Sequence, residues 1–143
     1  MNYGKWLLSL CILLIGSNAL GQRCDVTGVP VHFGDYDTRS PQHATGNITI
    51  TCNRPTIVTV KFDPGQNSGG RFHPRKMLSA KGTDTLAYNL YVDASYTRVW
   101  GDGTGNTQTQ TGMGNLIIYG RIPGQQNVPA GLYTDRVTVI VEW

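Results

Sequence analysis

The histidines, serines and acidic residues are the side chains on which catalysis would depend. His32, His43 and His73 do not share the spacing of a metal site, and no His-Glu-x-x-His motif occurs. No serine stands in a Gly-x-Ser-x-Gly motif. Asp35 and Asp37 are neighbours on one predicted turn, whereas a glycosidase needs two carboxyl groups that face each other across a cleft. We therefore expect no enzyme activity, no catalytic residues and no cofactor.

Two further kinds of ligand are also disfavoured. The segment from Asp102 to Asn106 has the composition of a calcium loop, but an EF-hand loop ends in Glu and the only Glu of the chain is Glu142. We expect no metal site. The formal net charge is only +3 and no basic run occurs, so nucleic acid is not an expected partner.

The N-terminal segment has the features of a secretory signal. Lys5 is followed by an apolar run at residues 6–16, which is shorter than the ~20 residues of a transmembrane helix. Small residues precede two candidate cleavage sites, after Ala19 and after Gly21. We expect residues 1–21 to be a signal peptide, with no membrane-spanning segment after cleavage. The alternative is an uncleaved membrane anchor.

Removal of that segment leaves two cysteines, Cys24 and Cys52. An even number of cysteines in an exported chain indicates a disulfide, and neither residue has the spacing of a metal ligand. The alternation of the flanking residues points both sulfur atoms into the predicted core. The bond is expected to stabilise the fold by roughly 3–4 kcal/mol.

The elements that must position these residues are short strands. Of the 143 residues, 39% are hydrophobic and 15% are charged, Gly occurs 18 times, and eight of the nine acidic residues are Asp. This composition favours strands and turns over helices. Alternating rows with turn residues between them predict an antiparallel β-sandwich. The inward positions are Ile48, Ile50, Cys52, Val58, Val60, Phe62, Leu86, Tyr88, Leu90, Val92, Val137, Val139, Val141 and Trp143. Residues 63–70 and residues 101–114 are predicted to be loops, the second one long and flexible.

Several motifs in a fixed order resemble the spore coat protein U domain family, the subunit domain of archaic chaperone–usher pili. They include Tyr-Asn-Leu-Tyr at residues 88–91, Trp-Gly-Asp-Gly at residues 100–103 and Tyr-Gly-Arg-Ile-Pro at residues 119–123. Matching segments also surround both cysteines, and the resemblance extends over residues 24–143. The chain is therefore interpreted as a signal peptide at residues 1–21 and a pilin-type domain at residues 22–143.

The resemblance implies an all-β, immunoglobulin-like sandwich that lacks its final G strand. It also implies a secreted structural subunit that is completed by a strand from another chain. A periplasmic chaperone lends the strand first, and a neighbouring pilus subunit replaces it at an outer-membrane usher. The expected location is the periplasm in transit and then the cell surface, with a role in adhesion or biofilm formation.

The groove that receives this strand is expected to be lined by the first and last strands. The predicted groove and chaperone-contact residues are Val26, Val29, Val31, Val137, Val139, Val141 and Trp143. Related subunits bind their chaperone through the C-terminal strand, so the carboxylate and ring of Trp143 are expected at this contact.

Only Gln22 and Arg23 stand between the preferred cleavage site and Cys24, and two residues at ~3.3 Å each cannot span a groove. A subunit that can accept but not donate a strand would be the first in the fibre, at its tip. Exposed loops would then contact a surface, and the candidate contact residues are Arg71, Phe72, Arg75, Tyr96 and Trp100.

Two other functions remain open at this point. One is a secreted spore-coat or cell-surface structural protein of the same fold that does not polymerise. The other is a carbohydrate-binding β-sandwich.

Overall fold

The predicted strands are present in the structure, a computed structural model that describes residues 5–15 and 21–143. No helix occurs in these residues, and so none that could cross a membrane. The strands are β1 (Lys5–Ile15), β2 (Cys24–Val29), β3 (His32–Asp35), β4 (Gln42–Cys52), β5 (Thr59–Phe62), β6 (Arg75–Ser79), β7 (Thr85–Tyr91), β8 (Gln110–Thr111), β9 (Gly114–Ile122) and β10 (Tyr133–Glu142).

The strands form two layers that share one hydrogen-bonded path. Their order is β2-β4-β9-β7-β6-β10-β1-β3, and β5 pairs with β10 and with β8. Strand β7 joins the layers because it pairs with β9 on one side and with β6 on the other. The described strand pairs are antiparallel except β1 with β10. The fold is thus the predicted all-β sandwich.

The first part of the domain changes layers between β2 and β3. Strand β2 pairs with β4, and the chain then crosses at Pro30, which has no N–H to donate to a ladder. The crossing passes so close to Gly46 that a Cβ there would lie 2.5 Å from the carbonyl oxygen of Val29. A Cβ on Gly120 would similarly lie 2.7 Å from the Phe33 ring. Both positions therefore require glycine.

The inward rows expected from the alternation form one core between the layers. Ile48, Val60, Phe62, Leu86 and Val139 are among the fully buried side chains of this core. Cys52 and Trp143, at the ends of their rows, are half-buried and pack against it. The period-two pattern thus identified the core face of β4, β5, β7 and β10.

Cys24 and Cys52 lie directly opposite each other in the β2–β4 ladder and are joined by a disulfide. The bond links residues 28 positions apart in sequence. It fixes the register of β2 at the edge of its layer, as expected from the shared phase of the two cysteines.

The polar segment at residues 101–114 differs from the predicted long flexible loop. Strand β8 lies within it and pairs with β5, and Thr107 is buried. The backbone N–H of Gly101 donates to Gln108 O at 2.8 Å. These backbone bonds fold the segment against the sheet although it has no apolar pattern.

Candidate functional site

Strand β10 is the centre of the candidate site. Its inward side chains are Tyr133, Asp135, Val137, Val139 and Val141, and all of them are buried. The outward side chains between them are half-buried or exposed. Val, Ile and Thr dominate the strand because β-branched residues pack well on a pleated surface.

The two edges of β10 are covered in different ways. One edge pairs with β5 and, at its beginning, with β6. The other edge pairs in parallel with β1, in a register that runs from Trp6 opposite Tyr133 to Ile15 opposite Glu142. Beyond β1 lies β3, which pairs with Lys5 through Leu7. We call the space between β10 and β3 the slot; in the full chain residues 5–15 fill it.

The filling of the slot is incomplete at one end. No strand of the described residues pairs with the outer edge of β1 beyond Leu7. Ile12, Leu13, Leu14 and Ile15 are 36%, 50%, 46% and 48% exposed. Residues 5–15 belong to the segment predicted to be a signal peptide, and most of the predicted cleavage region, residues 16–20, lies outside the described residues. Without residues 5–15, the backbone groups along this edge of β10 would lack partners.

The predicted groove residues fall into two groups. Val137, Val139 and Val141 lie on β10 with no exposed surface, and Val31 is equally buried beside β3. Trp143 is half-buried next to β1, and its backbone N–H points to Ile15 O at 3.4 Å. The Trp143 indole N–H is buried without an acceptor among the described residues.

Val26 and Val29 do not belong to the slot. Both lie on β2, which pairs with β4 in the other layer. Val26 is half-buried against the core, and Val29 is 55% exposed. The prediction took the whole first segment as one wall, but the layer change at Pro30 makes β3 the wall instead. Pro30 was the available signal, because proline cannot donate a hydrogen bond within a strand ladder.

Arg75 and Trp100 were predicted as surface contacts, and this is wrong because both are fully buried. The Arg75 guanidinium donates to Asp63 O at 2.7 and 3.1 Å, to Trp100 O at 2.7 Å and to Asn89 Oδ1 at 2.9 Å. Burial lowers the pKa of this guanidinium. The Trp100 ring stacks on Phe62 at 4.2 Å between centroids. Arg75 thus ties the loop at residues 63–70 to the core.

Asp135 completes this polar cluster from β10. Its carboxylate accepts the Tyr88 hydroxyl, the Gln66 backbone N–H at 2.9 Å and the Asn67 side-chain amide at 2.9 Å. Burial raises the pKa of the Asp135 carboxyl, and the hydrogen bonds from Tyr88 and Gln66 act in the opposite direction. Burial also raises the pKa of the Tyr88 phenol well above its ordinary value. Sequence reasoning missed Asp135, although an Asp on the inward phase of an apolar strand was a visible signal.

The remaining surface candidates separate into two places. Arg71 is exposed, but Phe72 is 9% exposed, and its ring centroid is 5.3 Å from the Arg75 guanidinium. Phe72 was therefore also wrongly predicted as a surface contact. His73 Nε2 lies 2.8 Å from Gly105 O, so the structure brings this loop against the polar segment. Tyr96 is half-buried on the outer face of the other layer, stacked on His43.

Within the described residues, no group of three or more His, Cys, Asp or Glu side chains is arranged to hold a metal ion. The site is instead made of backbone edges and apolar side chains. The fold and the slot together define a β-sandwich in which one layer is completed by a strand laid beside β10.

The chain belongs to the Spore Coat Protein U domain family, whose model matches residues 13–140. Among curated proteins it is similar to Protein U of Myxococcus xanthus, with 29% identity over 128 residues, 80% of this chain and 72% of that protein. These matches confirm the family resemblance seen in the sequence motifs.

Among solved structures, the chain is similar to one from the CsuC–CsuE chaperone–tip adhesion subunit pre-assembly complex of archaic chaperone-usher Csu pili of Acinetobacter baumannii. The TM-score is 0.56 at 21% identity. The match covers 85% of this chain and 40% of that one. At this identity, the similarity concerns the fold.

Proposed function

We propose that this protein is a secreted, non-enzymatic pilus subunit that is assembled by the chaperone–usher pathway through strand addition at the slot. The observation that carries the proposal is the pairing of residues 5–15 with β10, because it supports an edge of β10 that can be covered by a strand from outside the predicted mature domain. These are the residues that signal cleavage would remove. Removal would expose the β10 edge and the valines beneath it.

An exposed edge of this length is an aggregation hazard unless another chain covers it. A strand from a periplasmic chaperone would cover it in the periplasm, and a neighbouring subunit would cover it in the fibre. The matched structure in the Csu system contains a chaperone in complex with a subunit, which supports this pair of partners. The outer-membrane usher and a final position on the cell surface follow from the same pathway.

A tip position, with a role in adhesion or biofilm formation, is the finer part of the proposal. The residues just before β2 are tied to the sheet rather than free to act as a donor. Arg23 N donates to Asn53 Oδ1 at 2.9 Å, and Asn53 N donates to Arg23 O at 2.9 Å. If cleavage occurs after Gly21, no donor segment remains ahead of the disulfide, and the subunit has no groove to fill.

The test is co-purification of the secreted chain with a co-expressed periplasmic chaperone of the chaperone–usher class. A one-to-one complex supports strand acceptance, and a secreted monomer that ignores the chaperone contradicts it. Labelling the fibre tests the tip position separately, because label along the whole shaft would contradict only that part. N-terminal sequencing of the secreted chain shows where the leader is removed.

The name of the matched family, Spore Coat Protein U domain, supports one second candidate, a secreted spore-coat or cell-surface protein of the same fold that does not polymerise. The two candidates differ in their genetic neighbourhood and in their assembly. Adjacent genes for a chaperone and an usher favour the pilus subunit.

A further inference from the structure

A group of aromatic rings lies on the outer face of the β4–β9–β7 layer, away from the slot. Tyr91 and Tyr119 are opposite each other in the β7–β9 ladder, and His43 is opposite Arg121 in the β4–β9 ladder. Tyr96 lies above them, stacked on His43 at 4.5 Å and edge-on to Tyr91 at 5.6 Å between centroids. We call these five residues the aromatic patch.

The turn that carries Tyr96 is held in a conformation that few side chains adopt. Tyr96 has φ +56°, which is unfavourable for a bulky residue. The Asp93 carboxylate accepts bonds from the backbone N–H groups of Thr97 and Arg98 and from the Thr97 hydroxyl. The Tyr96 N–H donates to Asp93 O at 3.2 Å. The turn is thus built to hold the ring over the sheet, and such strain occurs most often at functional positions.

Arg121 supplies the charge of the patch. It is half-buried, and its Nε is buried without a hydrogen-bond partner among the described residues. Its guanidinium makes no ion pair with any described residue. Within residues 5–15 and 21–143, the one ion pair is between Lys61 and Glu142. Its positive charge acts on the Tyr91 phenol by opposing the effect of burial, which raises the pKa of Tyr91.

Arg75, which is fully buried, shows what a desolvated guanidinium needs. Arg75 satisfies its guanidinium with three carbonyl or amide oxygens, as a desolvated cation must. The Nε atom of Arg121 is removed from water without such a partner. The Nε atom is shielded from solvent, so a ligand would be bound by the two terminal Nη groups, which can donate two parallel N–H bonds to a carboxylate.

We propose that the aromatic patch binds an acidic polysaccharide, with a uronic-acid carboxylate on Arg121 and the carbon–hydrogen face of a sugar ring on the aromatic side chains. The amphipathic tyrosines suit a ligand that is apolar on its ring face and polar at its edge. The unpaired cation selects an anionic sugar over a neutral one. This binding is independent of strand acceptance, because the patch and the slot lie on different layers.

The test is isothermal titration of the full chain with oligogalacturonate, with its methyl ester as the neutral counterpart. We expect the chain to bind the acid, and to bind the ester with an affinity that is lower by about tenfold or more. Arg121→Gln should weaken binding of the acid by about tenfold and leave the thermal unfolding midpoint unchanged. Tyr96→Asn replaces the ring by a residue that tolerates the same φ, and this variant should bind both the acid and the ester more weakly. Arg136→Gln changes an exposed arginine on the other layer and serves as the control.

Absence of binding to the acid, equal binding of acid and ester, or an Arg121→Gln variant that binds as the parent does would each overturn the proposal. Analytical sedimentation tests the alternative that the patch is a contact between two copies of this chain. If the parent chain self-associates and Arg121→Gln abolishes this without any effect on the sugar, the patch is a contact between copies and the proposal is wrong. Free galacturonate tests whether one sugar unit suffices; binding as tight as that of the oligosaccharide would exclude a role for the polymer.

Discussion

The two edges of β10 receive their partners from very different parts of the chain. One edge is paired with β5 and β6, which lie within the domain after the disulfide-linked strands. The other edge is paired with residues 5–15, which the sequence marks as a removable leader. If the leader is removed as predicted, the same strand is permanently bonded on one side and conditionally bonded on the other. We therefore expect the slot edge of β10 to be hydrogen-bonded only when some strand occupies the slot.

The largest effect is expected from a charge placed under the slot. Val139→Asp puts an unpaired carboxylate at a position with no exposed surface, and should cost about 3–5 kcal/mol of unfolding free energy. It should also abolish chaperone capture and accumulation. Ile140→Asp is the matched control, because the next residue is half-buried on the outer face of the same strand.

Pull-down of the chaperone and urea unfolding measure the two consequences. Normal chaperone capture by Val139→Asp would reject this assignment of the groove. Equal damage from Ile140→Asp would show that the effect comes from the strand as a whole and not from its inward face.

A smaller effect is expected from the opposite layer. Replacement of both Cys24 and Cys52 by Ala should lower the free energy of unfolding by roughly 3–4 kcal/mol, as loop entropy predicts. Strand acceptance should persist in the molecules that remain folded, because the disulfide lies in the β2–β4 ladder and not at the slot. Loss of chaperone binding in the folded fraction would show that the two regions are coupled.

The polar cluster beneath β10 should produce a pH dependence. Burial raises the pKa of Asp135 above its ordinary 3.8, so the folded chain holds this proton more tightly than the unfolded chain does. The resulting stabilisation is complete below pH 3.8 and is lost as pH rises through the folded-state pKa. Asp135→Asn should remove this loss, so the variant should gain stability relative to the parent as pH rises through that range. Urea unfolding as a function of pH checks it, and parallel pH profiles would contradict it.

The smallest effect is expected at the end of the permanently bonded edge. Lys61 and Glu142 form an ion pair at 3.1 Å, with side chains that are 29% and 42% exposed. Glu142→Gln should change the free energy of unfolding by less than about 1 kcal/mol, and less still at high salt. A loss well above this would mean that the β5–β10 edge depends on the pair more than its exposure allows.

Sequence patterns predicted the sandwich and most of its core because period-two alternation reports burial directly. Val137, Val139 and Val141 were correctly placed on the buried face of their strand for this reason. The strand that forms the wall of the slot was predicted wrongly, because the change of layer at Pro30 depends on the packing of Gly46 and Gly120 against the crossing chain. Arg75 was placed on the surface because charge normally indicates exposure, and only three-dimensional contacts could show the carbonyl groups that surround it. The parallel pairing of residues 5–15 with β10 has no local sequence signal, because the apolar pattern of a predicted leader does not depend on the strand that it pairs with.

Hydrogen exchange of residues 22–143, refolded with and without a synthetic peptide of residues 5–15, tests the strand-accepting slot most directly. With the peptide, the backbone amides of β10 on the slot edge should become protected, and the protein should remain soluble. Without it, those amides should exchange rapidly while the β2–β4–β9 ladders stay protected. Equal protection of β10 in both samples would contradict the account, because it would mean that the domain needs no added strand.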